Sequence, residues 1–347
     1  MSSSTCSLHL VTRCGYLSDP YPFPTAESQL QSPESTRSSR VALVGPTASG
    51  KTSLALSLAS IRPEAEIISV DSMAVYRGMD IGTAKPTPRE RSGVPVHLID
   101  LVEPCEDFTV SEFQAAVNEA LRDIESRGKT ALLVGGTGLY LRAALGDLQV
   151  PGRWPDVARQ LESEAVDLGP AVLHSRLRDL DPVAASRIEP TNTRRIVRAL
   201  EVTIGSGSRF SSFGPGLSVY APSAVSQIGI PYVAGIHDEL IRRRFETLLQ
   251  LGFLEEVKNL ASSPAGMSRT ARQAIGYREL LDHVENGTPF DQAVDAAVRR
   301  TRTFARRQWA WFRRDPRITW LDPSSDLLPQ LLERWDAVAR SEVPVGD

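Results

Sequence analysis

Eight consecutive residues, Gly45-Pro46-Thr47-Ala48-Ser49-Gly50-Lys51-Thr52, carry chemistry that the rest of the chain must position. Gly45 and Gly50 let backbone N–H groups close around phosphate oxygens, and a helix starting at Lys51 adds the partial positive charge of its N-terminus. The Lys51 ammonium can reach terminal phosphates, and the Thr52 hydroxyl can hold a Mg²⁺. The pattern G-x-x-x-x-G-K-T carries weight only between a strand and a helix. Both are present: Val41-Ala42-Leu43-Val44 reads as a buried strand, and Ser53 to Ala59 continues as an amphipathic helix. A turn that merely joined the two would not need this Lys and Thr. This stretch binds a phosphate chain.

The elements around it follow a repeating order. Glu66-Ile67-Ile68-Ser69-Val70 is a second strand, and Asp71-Ser72 comes directly after it, where parallel sheets place their ligand crevice. An Asp in that place is a candidate functional carboxylate and equally a candidate helix cap or turn residue. Ala131-Leu132-Leu133-Val134 is a third strand, ending in Gly135-Gly136-Thr137. Strands alternating with helical segments such as 111–127 predict an α/β fold, a P-loop NTPase-like parallel sheet covered by helices. In nucleotide hydrolases of this kind a strand near the P-loop ends in an acid that helps hold Mg²⁺. Here that strand ends in Gly-Gly-Thr, which points away from hydrolysis and toward a phosphate-bearing substrate activated differently.

The chain has 347 residues, 41% hydrophobic and 23% charged, the composition of a globular protein with a substantial core. Its net charge is −3, so any nucleic-acid surface must be local. Cys6, Cys14 and Cys105 are too scattered for a disulfide framework or a zinc site and fit a reducing cytoplasm. No apolar run is long enough to span a membrane. Residues 1–40, rich in Ser, Thr and Pro, read as a disordered extension. A P-loop core over 41–150 follows, then a small all-helical insertion domain over 151–215. Residues 216–325 read as a helical completion of the core, and 326–347 as a C-terminal tail.

Local basic character is concentrated in two places. Residues 291–320 hold eight arginines against three aspartates, interleaved with Phe304, Trp309, Trp311, Phe312 and Trp320. That mixture suits phosphate contact and base stacking, and equally a solvated helix face backed by core aromatics. In Thr193-Arg194-Arg195-Ile196-Val197-Arg198, helical spacing sets the arginines on one side and leaves Ile196 and Val197 free to face inward.

Several segments taken together resemble the tRNA dimethylallyltransferases, also called tRNA isopentenyltransferases. They are GPTASGKT at 45–52, ISVDS at 68–72, YRGMDIGTAKP at 76–86 and VGGTGLY at 134–140. NTRRIVRALEV at 192–202, QAIGYR at 273–278 and TFARRQ at 303–308 continue the likeness, which runs from about 41 to 322. The P-loop alone is unspecific; followed at this distance by SVDS and DIGTAKP it is highly specific.

The resemblance implies transfer of a dimethylallyl group from dimethylallyl diphosphate to N6 of adenosine 37 in tRNAs reading codons that begin with U. It makes Asp71 the general base, and puts Thr47, Lys51 and Arg244 at the reacting centre, with Arg243 the competitor of Arg244. It makes Mg²⁺ the cofactor, held at Thr52, and the enzyme a cytoplasmic monomer. It lines the tRNA path with Asp71, Ser72, Met73, Ala74, Thr137, Arg159, Arg194, Arg195, Ile196, Val197, Arg198, Gln273, Ala274, Ile275, Gly276, Tyr277 and Arg278. Tyr140 and Tyr277 stay open between packing and base contact, and His97 is expected to pack. Residues 228–240 depart from the family pattern, which unsettles local charge pairing and the register assigning Arg244. A P-loop kinase of small metabolites, an adenylate isopentenyltransferase and an RNA-binding protein without catalysis are the competing readings.

Overall fold

The computed structural model describes residues 40–340, apart from Pro215 and Ser218. The expected disorder of 1–40 lies outside these residues except at Arg40, which opens the first strand. In chain order the elements are β1 (Arg40–Val44), α1 (Lys51–Ile61), β2 (Ala65–Val70), α2 (Pro88–Arg91), β3 (Val96–His97), α3 (Val110–Ser126), β4 (Thr130–Gly135) and α4 (Gly138–Ala144). Four helices follow without a strand: α5 (Pro155–Leu168), α6 (Pro170–Leu180), α7 (Pro182–Arg187) and α8 (Thr193–Ser206). The chain then returns through β5 (Ser226–Gly229), α9 (Ile236–Gln250), α10 (Phe253–Ser262), α11 (Arg269–Arg272), α12 (Tyr277–Asn286), α13 (Phe290–Phe312), β6 (Ile318–Trp320) and α14 (Leu327–Arg340).

The strands form one six-stranded sheet in the order β3-β2-β4-β1-β5-β6, with every pairing parallel. Gly135 lies opposite both Val44 and Val70, so the loops after β1, β2 and β4 leave the same edge side by side. The connection after β1 runs one way across the sheet and that after β4 the other. The crevice between them is therefore a topological switch point.

Side-chain alternation covers both faces. Ala42 and Val44 pack with Phe113, Val117 and Leu121 of α3 and with Phe312 of α13. Val41 and Leu43 pack on the opposite face with Ala55 and Leu58 of α1 and with Leu331 and Trp335 of α14. A third cluster joins α9, α10, α12 and α13, and α5 to α8 close around their own small core of Leu161, Leu173, Leu177, Ile196 and Leu200.

Two parts of the sequence-based outline need correction. Residues 327–340 are not a tail: α14 is a core helix, with Leu331 and Trp335 only 0% and 2% exposed. The segment 216–325 is not purely helical, since it supplies β5 and β6 at the sheet edge. These strands are four and three residues long, and β5 contains Gln and Gly, so neither shows a usable alternation.

His97 does pack, through an ion network at the sheet's other edge. Glu66 on β2, 4% exposed, meets His97 Nε2 at 2.8 Å and accepts from both terminal nitrogens of Arg127. The Arg127 hydrogen bonds, aided by His97 and opposed by burial, hold the Glu66 carboxyl down at about 2. A carboxylate depressed in the folded state stabilises above its unfolded value and loses that contribution as pH falls from about 4.5 to about 2. Glu66→Gln is expected to cost about 2 kcal/mol of stability at neutral pH. Urea unfolding of the two proteins should show the gap closing near pH 2, and a gap independent of pH would exclude the charge as its source.

Candidate active site

The P-loop hangs between the buried end of β1 and the first turn of α1. Gly50 caps that helix at φ 81°, a left-handed conformation that glycine adopts freely, and Ala48 sits at φ 62°. Gly50 makes no side-chain cap bond, so the first N–H groups of α1 remain available to an anion. A cavity opens here, lined by Thr47, Lys51, Thr52, Ser69, Asp71, Gly136, Arg244, Phe304 and Gln308 among others. Its walls also include Thr83, Ala84, Lys85 and Pro86 from the DIGTAKP segment.

The electrostatics of this cavity are lopsided. Burial, reinforced by the charge of Arg244 and opposed by Asp71, pushes the Lys51 ammonium down to about 7. Its Nζ folds back onto the carbonyl of Pro46 at 2.6 Å and the Ser49 hydroxyl at 3.4 Å. Burial lowers Arg244 as well, with Asp71 again opposing. Two cations thus share a desolvated site with one carboxylate. Such an arrangement suits a polyanionic ligand. The neighbouring Arg243 points elsewhere: its side chain is 71% exposed and pairs with Glu239 at 2.6 Å.

Asp71 fills the turn role left open above and also lines the cavity. Its Oδ1 accepts the N–H groups of Met73 at 2.8 Å and Ala74 at 3.3 Å, the geometry of a turn carboxylate. That anchoring fixes the carboxylate in the cavity wall, and no hydrogen bond to Oδ2 occurs among the described residues. Thr137 caps α4 without a side-chain cap bond and is half-buried.

Several residues assigned to the tRNA path are instead interior. Ile196 is 0% and Val197 6% exposed, both within the core of the insertion, so neither can touch RNA directly. Arg198 is also taken: it donates to the carbonyls of Pro151 and Gly152 and pairs with buried Glu201 at 2.8 Å. Arg194 and Arg195 are exposed, as is Arg159, which pairs with Asp156. In the 273–278 stretch Ala274, Gly276 and Tyr277 are buried, Ile275 is half-buried, and Gln273 and Arg278 face solvent. Tyr277 donates at 2.5 Å to Glu256, which accepts the N–H groups of Asp80, Ile81 and Gly82. Its work is to hold the loop that walls the cavity. Tyr140 packs on Phe113 with ring centroids 4.4 Å apart, and burial raises its hydroxyl pKa. Ser72 and Met73 are half-buried, and Ala74, which lines the cavity, is 6% exposed.

The basic stretch divides between both of its readings. Trp309 and Trp320 stack edge to face at 4.8 Å, and Phe312 is buried. Arg300 pairs with Glu279, Arg317 with Asp147 and Asp315, and Arg302 and Arg306 with Asp238. Asp238 thereby supplies the local pairing of the atypical 228–240 segment. Arg299, Arg307, Arg313 and Arg314 are exposed and make no ion pair among the described residues.

Sequence reasoning missed two cavity residues on α13, Phe304 and Gln308. Gln308 accepts the Thr47 N–H at 2.8 Å and donates to the Gly136 carbonyl at 2.8 Å. The available signal was a polar residue on the stripe shared with Phe304 and Phe312, each four positions away.

Comparison with known proteins gives one consistent answer. The family model described as IPP transferase matches residues 74–315. A tRNA dimethylallyltransferase of Kineococcus radiotolerans is 44% identical over 292 residues, 82% of this chain and 91% of that protein. One from Salinispora tropica is 45% identical over 282 residues, covering 81% and 88%. The crystal structure of a tRNA isopentenylpyrophosphate transferase from Bacillus halodurans is 37% identical and superposes with a TM-score of 0.63, covering 87% of this chain and 96% of that one.

Proposed function

Since the chain belongs to the IPP transferase family, it is an enzyme that transfers a dimethylallyl group to tRNA adenosine, and we propose the site and course of that reaction. The donor is dimethylallyl diphosphate. The acceptor is N6 of adenosine 37 in tRNAs reading codons that begin with U, and the enzyme works as a cytoplasmic monomer. The observation that carries the proposal is the cavity that brings Lys51 and Arg244 together with Asp71 at the switch point of the sheet.

The diphosphate lies on the N–H groups at the start of α1, with Lys51 and Arg244 against its oxygens. The target base leaves its stack to enter the crevice. N6 attacks the allylic carbon, the carbon–oxygen bond breaks, and pyrophosphate departs with the bonding electrons. The N6 proton passes to Asp71, which lines the cavity and is anchored through Oδ1. Thr47 stands beside the reacting centre. Thr52, whose hydroxyl is an oxygen ligand suited to Mg²⁺, lines the cavity and would hold that ion. When bound, it would supply further neutralisation of the leaving group.

The RNA surface comprises Ser72, Met73 and Thr137, the exposed Gln273 and Arg278, and Arg159, Arg194 and Arg195 on the insertion. Arg194→Ala with Arg195→Ala is expected to weaken tRNA binding and to lower the slope of log affinity against log salt by about one per lost phosphate contact. An unchanged slope would remove this pair from the interface. Among the described residues no helix is long and apolar enough to cross a membrane.

The deciding assay offers radiolabelled dimethylallyl diphosphate with Mg²⁺ to unmodified tRNA carrying A36-A37-A38, to AMP and to ATP. Label in tRNA alone supports the proposal. Label in AMP alone would make the enzyme a maker of free prenylated nucleotide, and hydrolysis of ATP with no label would make it a kinase.

A further inference from the structure

Gln308 joins three parts of the molecule that are distant in sequence. It lies on α13, is 7% exposed, and spans from the P-loop to the loop after β4. Its partners are one backbone donor, the Thr47 N–H, and one backbone acceptor, the Gly136 carbonyl. Only a side chain with an acceptor and a donor on one carbon satisfies both, which sets the orientation of the amide. Gly136 accommodates it closely, since a Cβ there would meet Gln308 Nε2 at 2.5 Å.

Two consequences follow. The Thr47 N–H is committed to Gln308, so the phosphate cradle is left to the N–H groups further along the loop and in α1. Gly136 precedes Thr137, on the acceptor side of the crevice, while Thr47 belongs to the donor side. The β1–β4 pairing that brings the two loops together ends at Val44 and Gly135. Gln308 ties them together beyond the sheet.

We propose that Gln308 is a positioning residue for the transfer, its amide holding Thr47 and Gly136 at the separation across which the dimethylallyl carbon passes to the base. This rests on the transferase reading above. Gln308 needs no contact with either substrate. Its loss misplaces the two reactants relative to each other while the surfaces that bind each stay intact.

The test uses the full chain with Gln308→Leu and Gln308→Glu, measuring single-turnover transfer to tRNA at saturating donor, with tRNA affinity and melting temperature measured in parallel. Gln308→Leu is expected to slow transfer by about 10- to 100-fold, the scale of a misplacement near 1 Å, with tRNA affinity unchanged. In Gln308→Glu the ionised carboxylate satisfies Thr47 but repels the Gly136 carbonyl. Protonation restores one donor and one acceptor. Burial at this position raises the introduced carboxyl above its free value, so its rate relative to wild type should climb as pH falls from about 8 to about 5.5, while the relative rate of Gln308→Leu stays flat.

Wild-type speed in Gln308→Leu would overturn the proposal, as would a flat profile for Gln308→Glu. So would a loss that tracks weakened tRNA binding or a lowered melting temperature, which would mark Gln308 as merely structural. A wild-type protein that labels no tRNA would overturn the transferase reading itself, and this proposal with it.

Discussion

Asp71→Asn is expected to slow transfer to tRNA by about 10³-fold while leaving tRNA affinity and the fold intact. The structure makes Asn a cleaner probe than Ala. Oδ1 of Asp71 receives the N–H groups of Met73 and Ala74, and the carbonyl oxygen of Asn can take both. The turn after β2 therefore stands, and only the proton acceptor is removed. Neutral adenine N6 is a poor nucleophile, and without a base the proton must leave to water from a largely enclosed cleft. Single-turnover labelling separates this step from product release. Asp71→Ala should lose the turn as well, and weaken tRNA binding at the adjacent Ser72 and Met73. Near-normal turnover in the Asn variant would leave Asp71 as a turn residue only.

Lys51→Ala is expected to lower kcat/KM for dimethylallyl diphosphate by about 10²- to 10³-fold, through both weaker donor binding and a poorer leaving group. A second signature is specific to this lysine. In the empty site its ammonium is pushed down to about 7, chiefly by burial and then by Arg244. A bound diphosphate favours the charged form and raises it again. Below that pH the lysine is already protonated and donor binding moves no proton at this site. Above it, binding must take up a proton, so donor affinity should fall by up to about tenfold per pH unit. Calorimetry in buffers of different ionisation heat measures the uptake directly. Uptake at about pH 8 in wild type that vanishes in Lys51→Ala is the expected result. Equal uptake in both would locate the proton elsewhere.

Much of the site was legible because its chemistry is contiguous. The P-loop is read from eight adjacent residues, and Asp71 from its place directly after an apolar strand. Choosing between Arg243 and Arg244 was a different problem. Neighbouring helical residues point about 100° apart, and only the packing of α9 shows that Arg244 enters the cavity while Arg243 meets Glu239. The 273–278 segment shows the same limit from the other side. Its motif is distinctive, yet burial of Tyr277 against Glu256 turns part of it into scaffolding for the 80–82 loop.

By itself the sequence determined the parallel α/β core, the run of helices after it and the kinship of the chain, and it marked the stretch proposed to hold phosphate. Each of these rests on local periodicity or on a short run of residue types. Tertiary structure alone decided which side chains share the cavity. Gln308 stands 261 positions from Thr47, and Trp335 of α14 closes a face of the sheet begun by β1. Pairings at that distance leave no periodic trace along the chain. They are selected by which faces must be buried together, and that selection exists only once the layers have packed.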